Sequence, residues 1–141
     1  MANTISESWS VDHIGIAVTD IEQAVSLYKT MAATTVTFRE KLDAQGVELV
    51  FLSTGGAKIE LLSALRPDSP LGKFLQSRGP GLHHVCYRVQ DIRYELKRLA
   101  DLGFRLIDKE PRKGAGNTEI AFIHPSSCLG TLTELCQYSG S

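Results

Sequence analysis

The chain has 141 residues, of which 43% are hydrophobic and 22% charged, and this composition predicts one ordinary globular domain with a sizeable core. Fifteen Lys and Arg residues against sixteen Asp and Glu residues give a net charge of −1, so we expect no nucleic-acid partner and no membrane partner. The start of the chain lacks a positive segment followed by an apolar run, and the three cysteines lack CxxC spacing. These features predict a cytoplasmic protein without a disulfide framework.

The sequence contains an internal duplication. Segment 11–21 aligns with segment 82–92 at an offset of 71 residues, which places His13 on His84. The alignment continues in the same order, with 46–52 on 117–123 at that offset and 58–61 on 132–135 at an offset of 74 residues. Ordered matches across half the chain indicate two copies of one structural unit.

Each copy has the pattern of a strand, a helix and three further strands. The apolar, β-branched run 11–18 predicts a strand, and Asp20 predicts the N-cap of a helix over 21–31. In the second copy Asp91 is expected to cap a helix over 92–102. Between the copies, Ser69-Pro70 predicts a short helix that ends by Gly79. The other strands are predicted at 35–41, 46–53, 57–63, 104–109, 118–124 and 130–137.

These elements predict an α+β fold made of two tandem βαβββ modules that form one shared, curved, mixed sheet. We interpret the whole chain, 1–141, as a single domain. Its predicted parts are a first module over 9–63, a connector with a short helix over 64–81 and a second module over 82–137.

Four polar residues are expected on one side of this sheet, because side chains alternate between the faces of a strand. His13 shares its face with two small residues, and His84 has the same position in the second copy. Glu60 and Glu134 each lie between core-facing residues in the fourth strands. A lone His or Glu on a strand is more often a structural polar residue. Their symmetrical placement by the duplication favours a site for a divalent metal ion.

The motifs around these residues resemble the vicinal oxygen chelate, or glyoxalase, superfamily and, within it, the methylmalonyl-CoA epimerases. The most characteristic stretches are DSP at 68–70, GLHHV at 81–85 and EPRKGAG at 110–116, and broader matches run in order from residue 11 to residue 137. The resemblance implies an isomerase that acts on an acyl-CoA substrate and forms a homodimer. It implies a divalent metal ion, Co²⁺ or Mn²⁺ with Zn²⁺, Ni²⁺ and Mg²⁺ as alternatives, held by His13, Glu60, His84 and Glu134.

The reaction that the resemblance implies is inversion at C2 of (2R)- and (2S)-methylmalonyl-CoA. The α-proton of a thioester is weakly acidic, so the enzyme must stabilise an enolate, which a metal ion does as a Lewis acid. Inversion also needs a proton acceptor on one face of C2 and a donor on the other, and Glu134 is the candidate for one of them. The second group stays unassigned. Some relatives carry Glu where this chain has Leu49, and Glu48, one residue away, should face the other side of its strand.

Two other functions stay open at this point. A glyoxalase-type isomerase or lyase that acts on another substrate would use the same set of ligands. A metal-free small-molecule binding protein of the same fold would be expected to lose them. All four candidate ligands are present, which favours an enzyme.

Overall fold

The computed structural model describes residues 8–139 of the chain. Residues 1–7, on which the prediction of no targeting segment depends, lie outside this range. The chain forms two compact units: residues 13–84 form one, and residues 85–139 with 8–12 form the other. No helix within the described residues combines the length and the apolar character needed to cross a membrane.

In the unit 13–84, the strands lie in the order β2-β3-β4-β1, with β1 parallel to β4 and the other neighbours antiparallel. The predicted helix caps are present. The carboxylate of Asp20 accepts a hydrogen bond from the backbone N–H of Gln23 at 3.0 Å, and Ser69 Oγ accepts one from that of Gly72 at 3.0 Å. The elements are β1 (Ser10–Ala17), α1 (Ile21–Ala32), β2 (Thr35–Leu42), β3 (Val47–Ser53), β4 (Lys58–Ala64) and α2 (Pro70–Arg78).

The second unit repeats this topology with the strand order β5-β8-β7-β6, in which β5 is parallel to β8. Asp91 caps its helix by accepting a hydrogen bond from the backbone N–H of Tyr94 at 3.0 Å. The matching strand orders agree with the predicted duplication. The elements are β5 (Gly81–Arg88), whose residues 81–84 belong to the unit 13–84, α3 (Ile92–Asp101), β6 (Arg112–Lys113), β7 (Thr118–Ile123) and β8 (Thr133–Tyr138).

The prediction of a strand over 104–109 is wrong. Leu106 makes only an isolated bridge to Ile123. The carboxylate of Asp108 accepts a hydrogen bond from the backbone N–H of Phe122 at 2.8 Å, so a side chain occupies a position that a ladder hydrogen bond would fill. The short strand β6 pairs with β7 instead.

One face of the strands in each unit packs against helices, and we call it the helix face. In the unit 13–84, Val25 of α1 packs with Val50, Leu61 and the partly buried Ile16. This contact confirms the predicted orientation of β1 and β4. We call the opposite face of the unit 13–84, which carries His13, the site face.

Candidate metal centre

Three predicted site residues converge on the site face of the unit 13–84. The Nε2 atom of His13 lies 3.2 Å from Oε1 of Glu60 and 3.2 Å from Nε2 of His84. The Nε2 atom of His84 lies 3.2 Å from the same oxygen of Glu60. Each residue is buried, with 4% or 5% of its surface exposed. The three ligand atoms therefore form a nearly equilateral triangle that is shielded from bulk water.

The backbone at Gly15 makes room for this triangle. Parallel pairing of β1 with β4 places Gly15 directly beside Glu60. A Cβ atom built on Gly15 would lie 2.1 Å from Cε1 of His84 and 2.4 Å from its Nδ1. The imidazole of His84 thus occupies the volume that any larger residue at position 15 would fill.

The geometry of the triangle fits a single bound cation. Ligand atoms about 2.1 Å from one ion are about 3.0 Å apart at right angles and about 3.4 Å apart at tetrahedral angles. The three observed separations of 3.2 Å lie between these values. Hydrogen bonding alone explains the triangle poorly, because each Nε2 offers one proton or one lone pair and so serves one neighbour well. Two imidazoles and a carboxylate also suit a borderline divalent ion chemically.

The electrostatics of Glu60 support the same interpretation. Burial is the largest single influence and acts to raise the pKa of its carboxyl group, but the hydrogen bonds and charge interactions with His13 and His84 together outweigh burial, and the pKa lies below its ordinary value. The side chain is therefore held as a carboxylate, which is the form that binds a metal ion.

His83 contacts one of the three residues of the triangle, which the strand pattern did not predict. Its Nδ1 atom lies 2.9 Å from Nδ1 of His84, and its ring packs edge-to-face on Phe74 of α2, with the centroids 4.8 Å apart. This contact engages Nδ1 of His84 and directs Nε2 towards Glu60. The adjacent histidines at 83 and 84 were the only signal in the sequence.

Replacing His83 by phenylalanine should weaken metal binding by about 10- to 100-fold, because the contact with Phe74 stays while the hydrogen bond to His84 is lost. Titration of the metal-free protein with Co²⁺, followed by absorbance, measures this change. The variant His83→Asn is the matched control, since its amide can replace Nδ1, and it should bind the ion more tightly than His83→Phe. Equal affinity of both variants and the parent protein would rule out the orienting role.

Glu134, the fourth predicted ligand, lies on β8 in the other unit. It is 5% exposed and is paired in register with Cys86 of β5 and Phe122 of β7. The structure thus brings His13, Glu60 and His84 together in one unit and buries Glu134 in the second.

Glu48 lies on the helix face, opposite the side of the strands that carries His13. Its carboxylate is 3.5 Å from Nη2 of Arg39, whose guanidinium also pairs with Glu22 of α1. The duplicate of Glu48, Glu119 on β7, pairs with Arg93 of α3 at 3.1 Å. Both carboxylates therefore connect a strand to neighbouring arginines, which favours a structural role over proton transfer at C2.

The substitution Glu48→Gln should change turnover by less than about threefold, because the side chain points away from the triangle. Loss of a partly exposed ion pair should lower the free energy of unfolding by no more than about 1 kcal/mol. Steady-state kinetics and urea denaturation test the two expectations. A fall in kcat of two orders of magnitude in a folded variant would instead assign Glu48 to the chemistry.

The chain is similar to known proteins of one superfamily. The family model of the glyoxalase/bleomycin resistance protein/dioxygenase superfamily matches residues 12–122. An uncharacterised protein of Bacillus subtilis (strain 168) is 39% identical over 130 residues, covering 92% of this chain and 93% of that protein. Mitochondrial methylmalonyl-CoA epimerase of Bos taurus is 37% identical over 128 residues, covering 90% and 73%.

A solved structure shows the same likeness. A variant of Streptomyces coelicolor methylmalonyl-CoA epimerase in complex with 2-nitronate-propionyl-CoA superposes with a TM-score of 0.88 at 35% identity, covering 94% of this chain and 97% of that one. The chain therefore belongs to the glyoxalase/bleomycin resistance protein/dioxygenase superfamily, as its motifs predicted. The likeness to methylmalonyl-CoA epimerases within that superfamily is also confirmed.

Proposed function

We propose that this protein is a metal-dependent epimerase that inverts C2 of methylmalonyl-CoA. The observation that carries the proposal is the buried triangle of His13, Glu60 and His84, whose ligand atoms are 3.2 Å apart. The relatives named methylmalonyl-CoA epimerase, and the neighbour in complex with an acyl-CoA analogue, support the choice of substrate.

The proposed metal ligands are His13, Glu60, His84 and Glu134. Three of them meet in one unit, and the duplication supports adding Glu134 as the counterpart of Glu60. Co²⁺ or Mn²⁺ is the proposed ion, with Zn²⁺, Ni²⁺ and Mg²⁺ as alternatives, since imidazole and carboxylate ligands accept all of them.

The chemistry needs charge stabilisation and two proton transfers. The bound ion would supply Lewis-acid stabilisation of the negative charge that develops when C2 loses its proton. His13, Glu60 and His84 would hold the ion, and because these side chains are buried, bulk water is kept from their ligand atoms, which strengthens electrostatic interactions at the site. Glu134 is the proposed acid or base on one face of C2. Since Glu48 lies on the helix face, the group on the other face stays unassigned.

Hydrogen–deuterium exchange at C2 of methylmalonyl-CoA tests the proposal. The protein is stripped of metal, transferred to heavy water and resupplied with Co²⁺ or Mn²⁺, and exchange is followed by proton NMR. We expect exchange with inversion only after the metal is added. Full exchange by the metal-free protein would contradict metal dependence. No exchange with any of the ions, in a folded protein, would point to another substrate or to a binding protein of the same fold.

We further propose that the protein is a cytoplasmic homodimer. Cys86, Cys128 and Cys136 are free thiols, which suits a reducing compartment. A homodimer is the assembly that the resemblance to the methylmalonyl-CoA epimerases implies. Light scattering should give twice the monomer mass.

A further inference from the structure

Lys58 lies on the site face beside the metal triangle. Parallel pairing of β4 with β1 places Lys58 directly next to His13, and Glu60 follows two residues later on the same face. The residue is half-buried. An ammonium group is therefore built into the strand that supplies one of the ligands.

The ammonium group of Lys58 lies over the ring of Phe51. The Nζ atom of Lys58 lies 5.6 Å from the centroid of the Phe51 ring, and that ring packs edge-to-face on His13 with the centroids 5.1 Å apart. Phe51 is also the register partner of Glu60. A cation is attracted to an aromatic face, so the ammonium group is favoured beside a ring that itself contacts His13.

Lys58 places a positive charge on the site face of the unit 13–84. Among the described residues of the unit 13–84, Lys58 is the one Lys or Arg on the site face of β1 to β4, since Arg39 and Lys41 are paired in register with Val50 and Glu48 on the helix face. A methylmalonyl group carries a free carboxylate and develops a second negative charge when C2 loses its proton. A nearby ammonium group is suited to bind that carboxylate.

We propose that Lys58 binds the free carboxylate of the acyl group and so selects acyl-CoA thioesters of dicarboxylic acids over those of monocarboxylic acids. This inference rests on the proposed epimerase function. The proposed contact is a charge-assisted hydrogen bond, and its loss should cost about 10- to 100-fold in affinity.

The experiment compares two ligands that differ in the carboxylate. Dissociation constants of methylmalonyl-CoA and propionyl-CoA are measured by calorimetry on the metal-loaded protein, together with kcat and KM for epimerisation. The variants are Lys58→Met, which keeps the length of the side chain without its charge, and Lys58→Arg, which keeps the charge. Lys29→Met, on the exposed surface of α1, is the matched control.

We expect Lys58→Met to bind methylmalonyl-CoA at least tenfold more weakly and to bind propionyl-CoA and Co²⁺ with affinities within about threefold of the parent protein. Lys58→Arg should recover most of the affinity, and Lys29→Met should bind both ligands as the parent protein does. If Lys58 has only a structural role, Lys58→Met should weaken the binding of both ligands equally or of neither. Either result overturns the proposal. If the parent protein binds acyl-CoA and epimerises while Lys58→Met keeps full discrimination, only the role of Lys58 fails. If the parent protein does neither, the epimerase function fails with it.

Discussion

Replacing His84 by alanine should abolish metal binding and reduce turnover by about a thousandfold or more. The substitution removes one corner of the triangle and leaves Glu60 and His13 without the third ligand atom at 3.2 Å. Lewis-acid stabilisation of the transition state is worth several kcal/mol, and each 1.36 kcal/mol corresponds to a factor of ten in rate. Metal content after dialysis and the rate of C2 exchange measure the two effects.

His124→Ala is the matched control for this experiment. His124 lies at the start of a 3₁₀ turn in the other unit, where its Nδ1 accepts a hydrogen bond from the backbone N–H of Ser126 at 3.0 Å. Its loss should lower stability by about 0.5–2 kcal/mol, as for other N-caps, and leave metal content unchanged. Full turnover by metal-free His84→Ala would refute the metal centre.

Replacing Gly15 by alanine should lower both metal affinity and turnover by about 100-fold, although no ligand is removed. The new Cβ atom would lie 2.1 Å from the ring of His84, so the imidazole must move out of the triangle. A shift of about 1 Å in a catalytic arrangement can cost two orders of magnitude in rate. Co²⁺ titration and exchange kinetics give the two values, and circular dichroism checks that the variant is folded.

Gly55→Ala is the matched control for Gly15→Ala, because a Cβ atom on Gly55 would meet no other atom within 4 Å. It should behave as the parent protein in both assays. If Gly15→Ala also bound metal normally, the ring of His84 would not depend on the backbone of β1 for its place.

The meeting of His13, Glu60 and His84 was predictable because the duplication and the alternation of strand faces are both visible in one sequence. His13 and His84 occupy equivalent strand positions, and Glu60 has apolar neighbours on both sides that identify its face. The helix ends were predictable for a similar reason, since Asp20 and Ser69 are local caps whose partners lie three residues away.

Features that depend on contacts between distant segments were not predictable in this way. The irregular path over 104–109 depends on a hydrogen bond between Asp108 and a backbone group 14 residues later. The orienting role of His83 requires its packing on α2, and the position of the Lys58 ammonium requires the ring of Phe51 from the neighbouring strand. Strand parity gives the side of a residue but not its neighbour across the sheet.

The parallel pairing of β1 with β4 has a consequence for how the protein folds. The partners Gly15 and Glu60 are 45 positions apart in the chain, whereas β2, β3 and β4 are consecutive antiparallel neighbours. Closing the longer loop costs more entropy, so we expect β2 to β4 to assemble first and β1 to join them late. During synthesis His13 leaves the ribosome early, but the triangle cannot form until Glu60 and then His84 have also been synthesised. Metal uptake by the triangle would then report that the unit 13–84 has finished folding, rather than that it has begun to fold.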